Sequence, residues 1–284
     1  MLGAITGDVI GSHYEFNNTK KYDFILFPQG CAPTDDSIMT LAVAHWLMND
    51  PKHSRQALED AFVKFGNQFK YPKGGYGGGF QTWLFHPDQL HPYGANPPKP
   101  KYKSATGRHP YNSNGNGSAM RASAVGWYAQ TLKEAERLAA ISADITHNAP
   151  EGIKGAKATA AAVWMARNGK SKDEIRDYIE KKYGYDLHKT YEYWHPIYKW
   201  ESSCQGTVPQ ALICFLDSKD YVDAIRKAVS LGGDSDTLAC ITGGVAEAFY
   251  GPLHPYLRDK VLPLLPPLLK DTLTAFQKKY QQNL

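Results

Sequence analysis

Two short acidic groups stand far apart in the chain. The first is Pro33-Thr34-Asp35-Asp36-Ser37 and the second is Gly232-Gly233-Asp234-Ser235-Asp236-Thr237. Each directly precedes an apolar run with helical spacing. One Asp would serve as an N-cap and complement the helix dipole. Two adjacent carboxylates beside an apolar helix repel each other unless a cation lies between them. An Asp-x-Asp segment in extended backbone can turn both carboxylates toward one ion, and the glycines before it let the backbone come close. Together the groups offer Asp35, Asp36, Asp234 and Asp236 with the hydroxyls of Thr34 and Thr237, and no His or Cys. Such hard oxygen donors suit Mg²⁺, Mn²⁺ or Ca²⁺ rather than zinc. Four carboxylates exceed what one Mg²⁺ usually takes, so a two-ion site is expected.

Three further stretches carry chemistry. In Gly3 to Glu15, small residues at 3, 4, 7 and 11 recur at one-turn spacing, which suits close helix packing. Asp8 and Glu15 fall on nearly the same face. Asp8 reads as an internal hydrogen-bond partner. Glu15 comes where the helix yields to the polar Asn17-Asn18, a better place for a catalytic carboxylate. The stretch Tyr111 to Arg121 is a Gly/Asn/Ser loop leading into a helix, which presents free backbone N–H groups to an anion. No G-K-[ST] follows, so it is not a P-loop. In Thr146-His147-Asn148-Ala149-Pro150-Glu151, the Pro and Glu suit a helix start, and His147 is a lone histidine.

The elements that must hold these residues are mostly helical. Apolar periodicity predicts helices over 36–49, 55–69, 132–145, 151–167, 207–216, 219–231, 237–250 and 271–282. A capping box at Ser171–Glu174 starts another, which stops at Gly184. Ser218 reads as the cap of the 219–231 helix. Tyr22 to Phe27 is the one weak strand candidate. The expected fold is all-α, a compact orthogonal helical globule. Residues 71–118 are the exception, rich in Gly and Pro but also in aromatics, which argues against plain disorder. They read as a folded insertion walling a cleft. Tyr191, Tyr193, Trp194, Tyr198 and Trp200 read as core or rim packing, with adenine stacking as the alternative.

Bulk properties narrow the class. A length of 284 allows one large domain or two small ones. A single domain over 1–284 is favoured, because the acids near 35 and 235 have to meet. Lys+Arg 32 against Asp+Glu 28 gives +4, too mild to imply nucleic acid as a partner. No apolar run is long enough to span a membrane, and the first residues lack the pattern of a signal peptide. Four scattered cysteines without C-x-x-C suit reduced thiols and a cytoplasmic protein.

These motifs carry a likeness. G-D-x-x-G-x-x-x-E (Gly7 to Glu15), T-D-D-S (Thr34 to Ser37), G-N-G-S-A-M-R (Gly115 to Arg121), T-H (Thr146, His147) and G-G-D-S-D-T (Gly232 to Thr237) occur together in one order. In this the chain resembles the ADP-ribosylglycohydrolase family, from about Gly3 to Gly251. The resemblance implies an all-α globule with a binuclear centre, two Mg²⁺ or Mn²⁺, at the base of a cleft. The matching ligands are Thr34, Asp35, Asp36, Asp234, Asp236 and Thr237. Catalysis is assigned to Glu15 and Asp36, with Glu15 in general acid–base work. The substrate side is assigned to Gly115, Asn116, Gly117 and Ser118, which match the loop holding the diphosphate of ADP-ribose, with Met120, and with His147, which matches a histidine near the substrate. Relatives often read T-H-N-H-P-E-G, whereas position 149 here is Ala149, so any role of that second histidine is missing. The activity implied is cleavage of the glycosidic bond between ADP-ribose and an acceptor, a protein side chain or small molecule, with release of ADP-ribose. A monomer is the expected state, with neither nucleic acid nor membrane as partner. The alternatives are a non-catalytic ADP-ribose-binding or structural protein on the same fold, and a hydrolase of another ADP-ribose-like nucleotide. Intact acids and an intact Glu15 favour the enzyme.

Overall fold

The computed structural model describes residues 1–94 and 96–281. Among these, fifteen α-helices and two 3-10 turns form, and no strand does. Backbone pairing of the β type is limited to two isolated bridges, Thr34 with Lys73 and Gly115 with Ser203. The first helix, α1 (Leu2–Gly11), is buried along its whole length. α2 (Asp35–Asn49) starts on Thr34, whose hydroxyl accepts the Asp36 N–H. α3 (Arg55–Gln68) is capped by Ser54, and α4 (Gly78–Phe85) follows the glycine run. Short α5 (Gly117–Met120) and α6 (Ser123–Tyr128) follow the Gly/Asn loop. Then come α7 (Leu132–Asp144) and α8 (Pro150–Arg167), the latter opened by its proline. α9 (Lys172–Tyr183) has the predicted capping box and ends at Gly184 with φ 68. The chain continues through α10 (Tyr191–Trp194), α11 (Cys204–Leu216), α12 (Tyr221–Ser230) and α13 (Ser235–Tyr250). It finishes with α14 (Pro255–Val261) and α15 (Pro267–Tyr280).

The all-helical expectation holds, and the departures have local causes. Residues 22–27 form turns and bends instead of a strand. They have no partner strand, and side chains satisfy their carbonyls instead. Arg226 donates to the carbonyls of Tyr22 and Phe24 at 2.8 and 3.0 Å, and the Tyr14 hydroxyl donates to that of Ile25 at 2.7 Å. The cap of α12 is Asp220, which accepts the Asp223 N–H, and not Ser218. The Ser218 hydroxyl instead donates to the Phe215 carbonyl at 2.6 Å. α15 begins at Pro267, ahead of the expected Asp271, and the expected end at Gln282 lies outside the described residues. Helices α4, α10 and α14 are too short to leave a periodic signature.

The segment 71–118, apart from Ala95, which lies outside the described residues, is fastened to α3 and α7 by buried acids. Glu59 is fully buried and accepts from the hydroxyls of Tyr102, Ser104 and Thr106 at 2.9, 2.8 and 2.5 Å. Asp144 pairs with Arg55 and Lys101 at 2.9 and 3.2 Å. Apolar contact is added by Phe80 and Trp83 of α4, whose rings meet Phe62 of α3.

The centre of the molecule is α13, buried from Ser235 to Ala248 and packed on α1, α8, α11 and α12. Its crossing with α1 is made by glycines. A Cβ on Gly7 would lie 2.0 Å from the Ala239 carbonyl oxygen, and one on Gly3 would lie 2.4 Å from that of Gly243. One on Gly11 would lie 2.5 Å from the Asp236 Cα. Backbone thus meets backbone along the whole of α1. We expect Gly7→Ala to destabilise the protein by about 3 kcal/mol or more in urea denaturation, because neither backbone can yield locally. Gly78→Ala, with nothing within 4 Å of the added carbon, should change stability little.

Candidate active site

Asp8 organises the entry to α2. Its carboxylate accepts from the Thr34 N–H at 3.0 Å, the Thr34 hydroxyl at 2.7 Å and the Ser37 N–H at 3.1 Å. The Ser37 hydroxyl donates to it as well. Burial pushes this carboxyl up to about 6, against the pull of those four hydrogen bonds. Asp8 is therefore the internal partner expected of it, and it sets the turn that carries Asp35 and Asp36. A second tie is Asn18, which accepts the Gly233 N–H at 2.7 Å and donates to the Gly233 carbonyl at 2.9 Å. That clasp holds the segment after α1, with Glu15, against the start of α13.

The result is a floor of five acids from three segments. Glu15, Asp234 and Asp236 each offer an oxygen within 4.8 Å of the others. Asp36 accepts from the Thr237 hydroxyl at 3.3 Å, and Asp35 lines the same cavity. One oxygen of Glu15 and one of Asp36 are buried without a hydrogen-bond partner. Among the described residues, no ion pair joins any of the five to a basic side chain. Asp35, Asp36 and Asp236 are held well above the usual carboxylate range, first by burial and then by each other and their acidic neighbours. Glu15 is pushed up to about 7 by burial and then by Asp234 and Asp8. Orphaned oxygens, mutual repulsion and an all-oxygen donor set fit a divalent cation.

Above this floor lies a cavity of about 620 Å³. One wall is the glycine run. Gly74, with φ +78, packs its α-carbon onto Glu15, and a Cβ there would lie 2.6 Å from Oε2. The opposite wall is the Gly115 loop, where the Asn116 N–H donates to the Ser202 carbonyl at 2.8 Å. Tyr93 and Tyr111 pack edge to face at 5.7 Å, and Phe16 stacks on Trp200 at 5.6 Å across the mouth.

The residues assigned from sequence divide into three sets. Glu15, Asp35, Asp36, Asp234, Asp236 and Thr237 line the cavity, as do Gly115, Asn116, Gly117, Met120 and His147. Two residues lie behind it. The Thr34 hydroxyl is committed to Asp8 and to the Asp36 N–H. The Ser118 hydroxyl donates to the Gly152 carbonyl at 2.7 Å. Asn116 does more than present backbone, because its Nδ2 donates to Asp234 at 2.8 Å and to the Thr207 hydroxyl at 3.1 Å. Of the aromatic stretch, Tyr191 and Tyr198 are core, while Trp200 is half exposed at the cavity mouth. The sequence reading of 71–118 as a cleft wall took in Gly74 and Tyr111 without singling them out as cavity residues, and it missed Phe16. Nothing in the sequence pairs Phe16 with Trp200.

Comparison with known proteins agrees with this arrangement. A family model described as ADP-ribosylglycohydrolase matches residues 1–281. The chain is 26% identical over 320 aligned residues to ADP-ribosylhydrolase ARH3 of Homo sapiens, covering 88% of this chain and 84% of that one. It is likewise 26% identical to ADP-ribosylhydrolase ARH3 of Mus musculus, covering 88% and 82%. A solved structure titled "ADP-ribosylglycohydrolase-related protein complex" superposes with a TM-score of 0.72 over 100% of this chain and 96% of that one, at 20% identity. That last likeness is one of fold.

The raised carboxyls make stability depend on pH. In the cation-free protein Asp8 and Glu15 hold their protons up to about pH 6 and about pH 7, and burial moves Asp35, Asp36 and Asp236 in the same direction. The unfolded chain releases them near pH 4. These carboxyls thus bind more protons in the folded protein across this window, and their contribution to stability is lost as pH rises from about 4 to 7. We expect the thermal midpoint of EDTA-treated protein to drop over that range, and added Mn²⁺ to raise it most at the upper end. A midpoint that rises with pH in EDTA and ignores Mn²⁺ would contradict the electrostatic reading of the floor.

Proposed function

The chain belongs to the ADP-ribosylglycohydrolase family, and on that premise we propose that it is a metal-dependent hydrolase of an ADP-ribosyl linkage. The substrate is an ADP-ribosylated protein side chain or small molecule, and ADP-ribose is the product. One observation carries this reading, namely five buried or partly buried acids that meet on one cavity floor with no basic partner among the described residues. Asp35, Asp36, Asp234 and Asp236 would hold one or two Mg²⁺ or Mn²⁺ ions. When bound, such ions supply positive charge that neutralises the floor, orients ribose hydroxyls and makes a water easier to ionise.

The chain's own residues do the rest. Cleavage at ribose C1 builds oxocarbenium character, so the leaving group needs a proton and the incoming water must lose one. Glu15 sits at the edge of the floor with one unpartnered oxygen, placed to move a proton between water and the leaving group. Asp36, whose Oδ2 is also unpartnered, is the second catalytic candidate. The backbone of Gly115 to Gly117 lines the cavity. The N–H groups of Gly115 and Asn116 are committed to the Ser113 hydroxyl and the Ser202 carbonyl, so the Gly117 N–H at the start of the short helix is the backbone donor that suits a diphosphate. Tyr93 and Tyr111 wall the same region and exclude water. All these residues come from one chain, which suits a monomer, and four free cysteines suit a reducing, cytoplasmic setting.

The test is ADP-ribose release from arginine-, serine- and nucleobase-linked ADP-ribosyl substrates with Mg²⁺ or Mn²⁺, with EDTA as control. We expect Asp236→Asn to abolish both release and Mn²⁺ binding. Glu15→Gln should lose about a hundredfold or more in turnover while still binding Mn²⁺. Undiminished release in EDTA, or from Asp236→Asn, would overturn the metal-dependent reading.

A further inference from the structure

Arg121 is an isolated buried cation. Only 1% of it is exposed, and it lies 4.5 Å over the Phe62 ring and 5.9 Å from that of Phe80. No carboxylate is paired with it among the described residues, and its Nε has no partner. One terminal nitrogen donates to the Ser142 carbonyl at 2.7 Å and to the Thr146 hydroxyl oxygen at 2.8 Å. Thr146 is fully buried, and its oxygen lies 2.8 Å from Nδ1 of His147.

The direction of the second bond follows from the first. A guanidinium can only donate, so it occupies a lone pair of Thr146 and polarises the O–H to donate more strongly. That proton has two possible acceptors. The Ala143 carbonyl lies at 3.5 Å, beyond the normal O–H···O range, while His147 Nδ1 lies well within hydrogen-bond reach. The proton therefore goes to Nδ1, and a neutral imidazole accepting at Nδ1 carries its own proton on Nε2. Burial and then Arg121 hold His147 well below the usual histidine range, consistent with the neutral ring. Its Nε2 lies 3.1 Å from where a Gly117 Cβ would stand and 3.5 Å from the Gly115 position, so it faces the glycine loop.

We infer that Arg121 and Thr146 are positioning residues that fix His147 as its Nε2–H tautomer, aiming a neutral donor at the anionic part of the substrate. Their combined effect gives the cavity a neutral hydrogen-bond donor beside Gly115 and Gly117 while the guanidinium itself stays buried. The assignment of the ligand as a diphosphate rests on the proposed function, whereas the tautomer itself does not.

Two measurements separate these claims. Long-range ¹H–¹⁵N correlation spectra of the whole protein, without ligand, should show His147 Nδ1 as the unprotonated nitrogen and Nε2 as the protonated one. A protonated Nδ1 overturns the inference, whatever the protein hydrolyses. Thr146→Val should mix or reverse the tautomers and weaken ADP-ribose binding by roughly tenfold in calorimetry. Thr146→Ser, which keeps the hydroxyl, should restore both. Valine and serine variants alike in tautomer and affinity would also overturn it. An intact tautomer pattern in a protein that does not bind ADP-ribose would instead count against the functional reading alone.

Discussion

Backbone-to-backbone contact between α1 and α13 is the constraint on which the rest depends. α13 carries Asp236 and Thr237 in its first turn, and α1 carries Asp8 and leads to Glu15. Gly3, Gly7 and Gly11 let the two axes approach until any Cβ would collide with opposing backbone. The approach sets Gly11 against Asp236 and leaves Glu15 within reach of Asp234 and Asp236. Asp8 then passes the geometry on to α2 through four hydrogen bonds to Thr34 and Ser37. A chain of short contacts thus runs from a glycine stripe to the orientation of Asp35 and Asp36.

That geometry is electrostatically unfavourable in isolation. Buried carboxylates repel one another, and each loses hydration. The apolar mass of α13 and its neighbours must hold the acids together, and a bound cation, as proposed, would compensate them. Asp8 shows the contrast within one site. Its four hydrogen bonds occupy both its oxygens and offset part of the cost of its burial. Glu15 and Asp36 each keep an oxygen without any donor. The difference between a structural acid and a functional one is here a difference in how completely hydrogen bonds satisfy it.

Much of this was legible in the sequence. The paired acids before two apolar runs, the one-turn spacing of small residues in α1 and the capping box of α9 are local patterns with local causes. Asp8 as an internal partner was readable for the same reason. What escaped reading depends on contacts between distant segments. Ser118 and Thr34 belong to the motifs, yet their hydroxyls turn away to Gly152 and Asp8. A motif preserves spacing but does not say which way a side chain points. The strand expected at 22–27 failed because its carbonyls found Arg226 and Tyr14, residues that no window over those positions contains. Helix α4 was hidden because it is short and opens on the end of a glycine run, and Phe80 and Trp83 hold it by packing on Phe62.

The two ends of the cavity solve opposite charge problems with separate means, and Asn116 joins them. At the floor, acids are concentrated without a basic partner among the described residues, and the proposed cations would neutralise them. At the glycine loop the proposed donors to an anion are the Gly117 N–H and the His147 imidazole, with the Arg121 cation buried behind them. A lysine or arginine exposed there would be drawn to the acids and would compete with the ions, so neutral donors are the compatible choice. Asn116 belongs to both ends. Its backbone N–H fastens the loop to Ser202 and its side chain holds Asp234. Any displacement of the loop by a bound anion is therefore transmitted to one of the floor carboxylates through a single hydrogen bond. On the proposed function, the seating of one end of a substrate would therefore bear on the geometry that acts on the other.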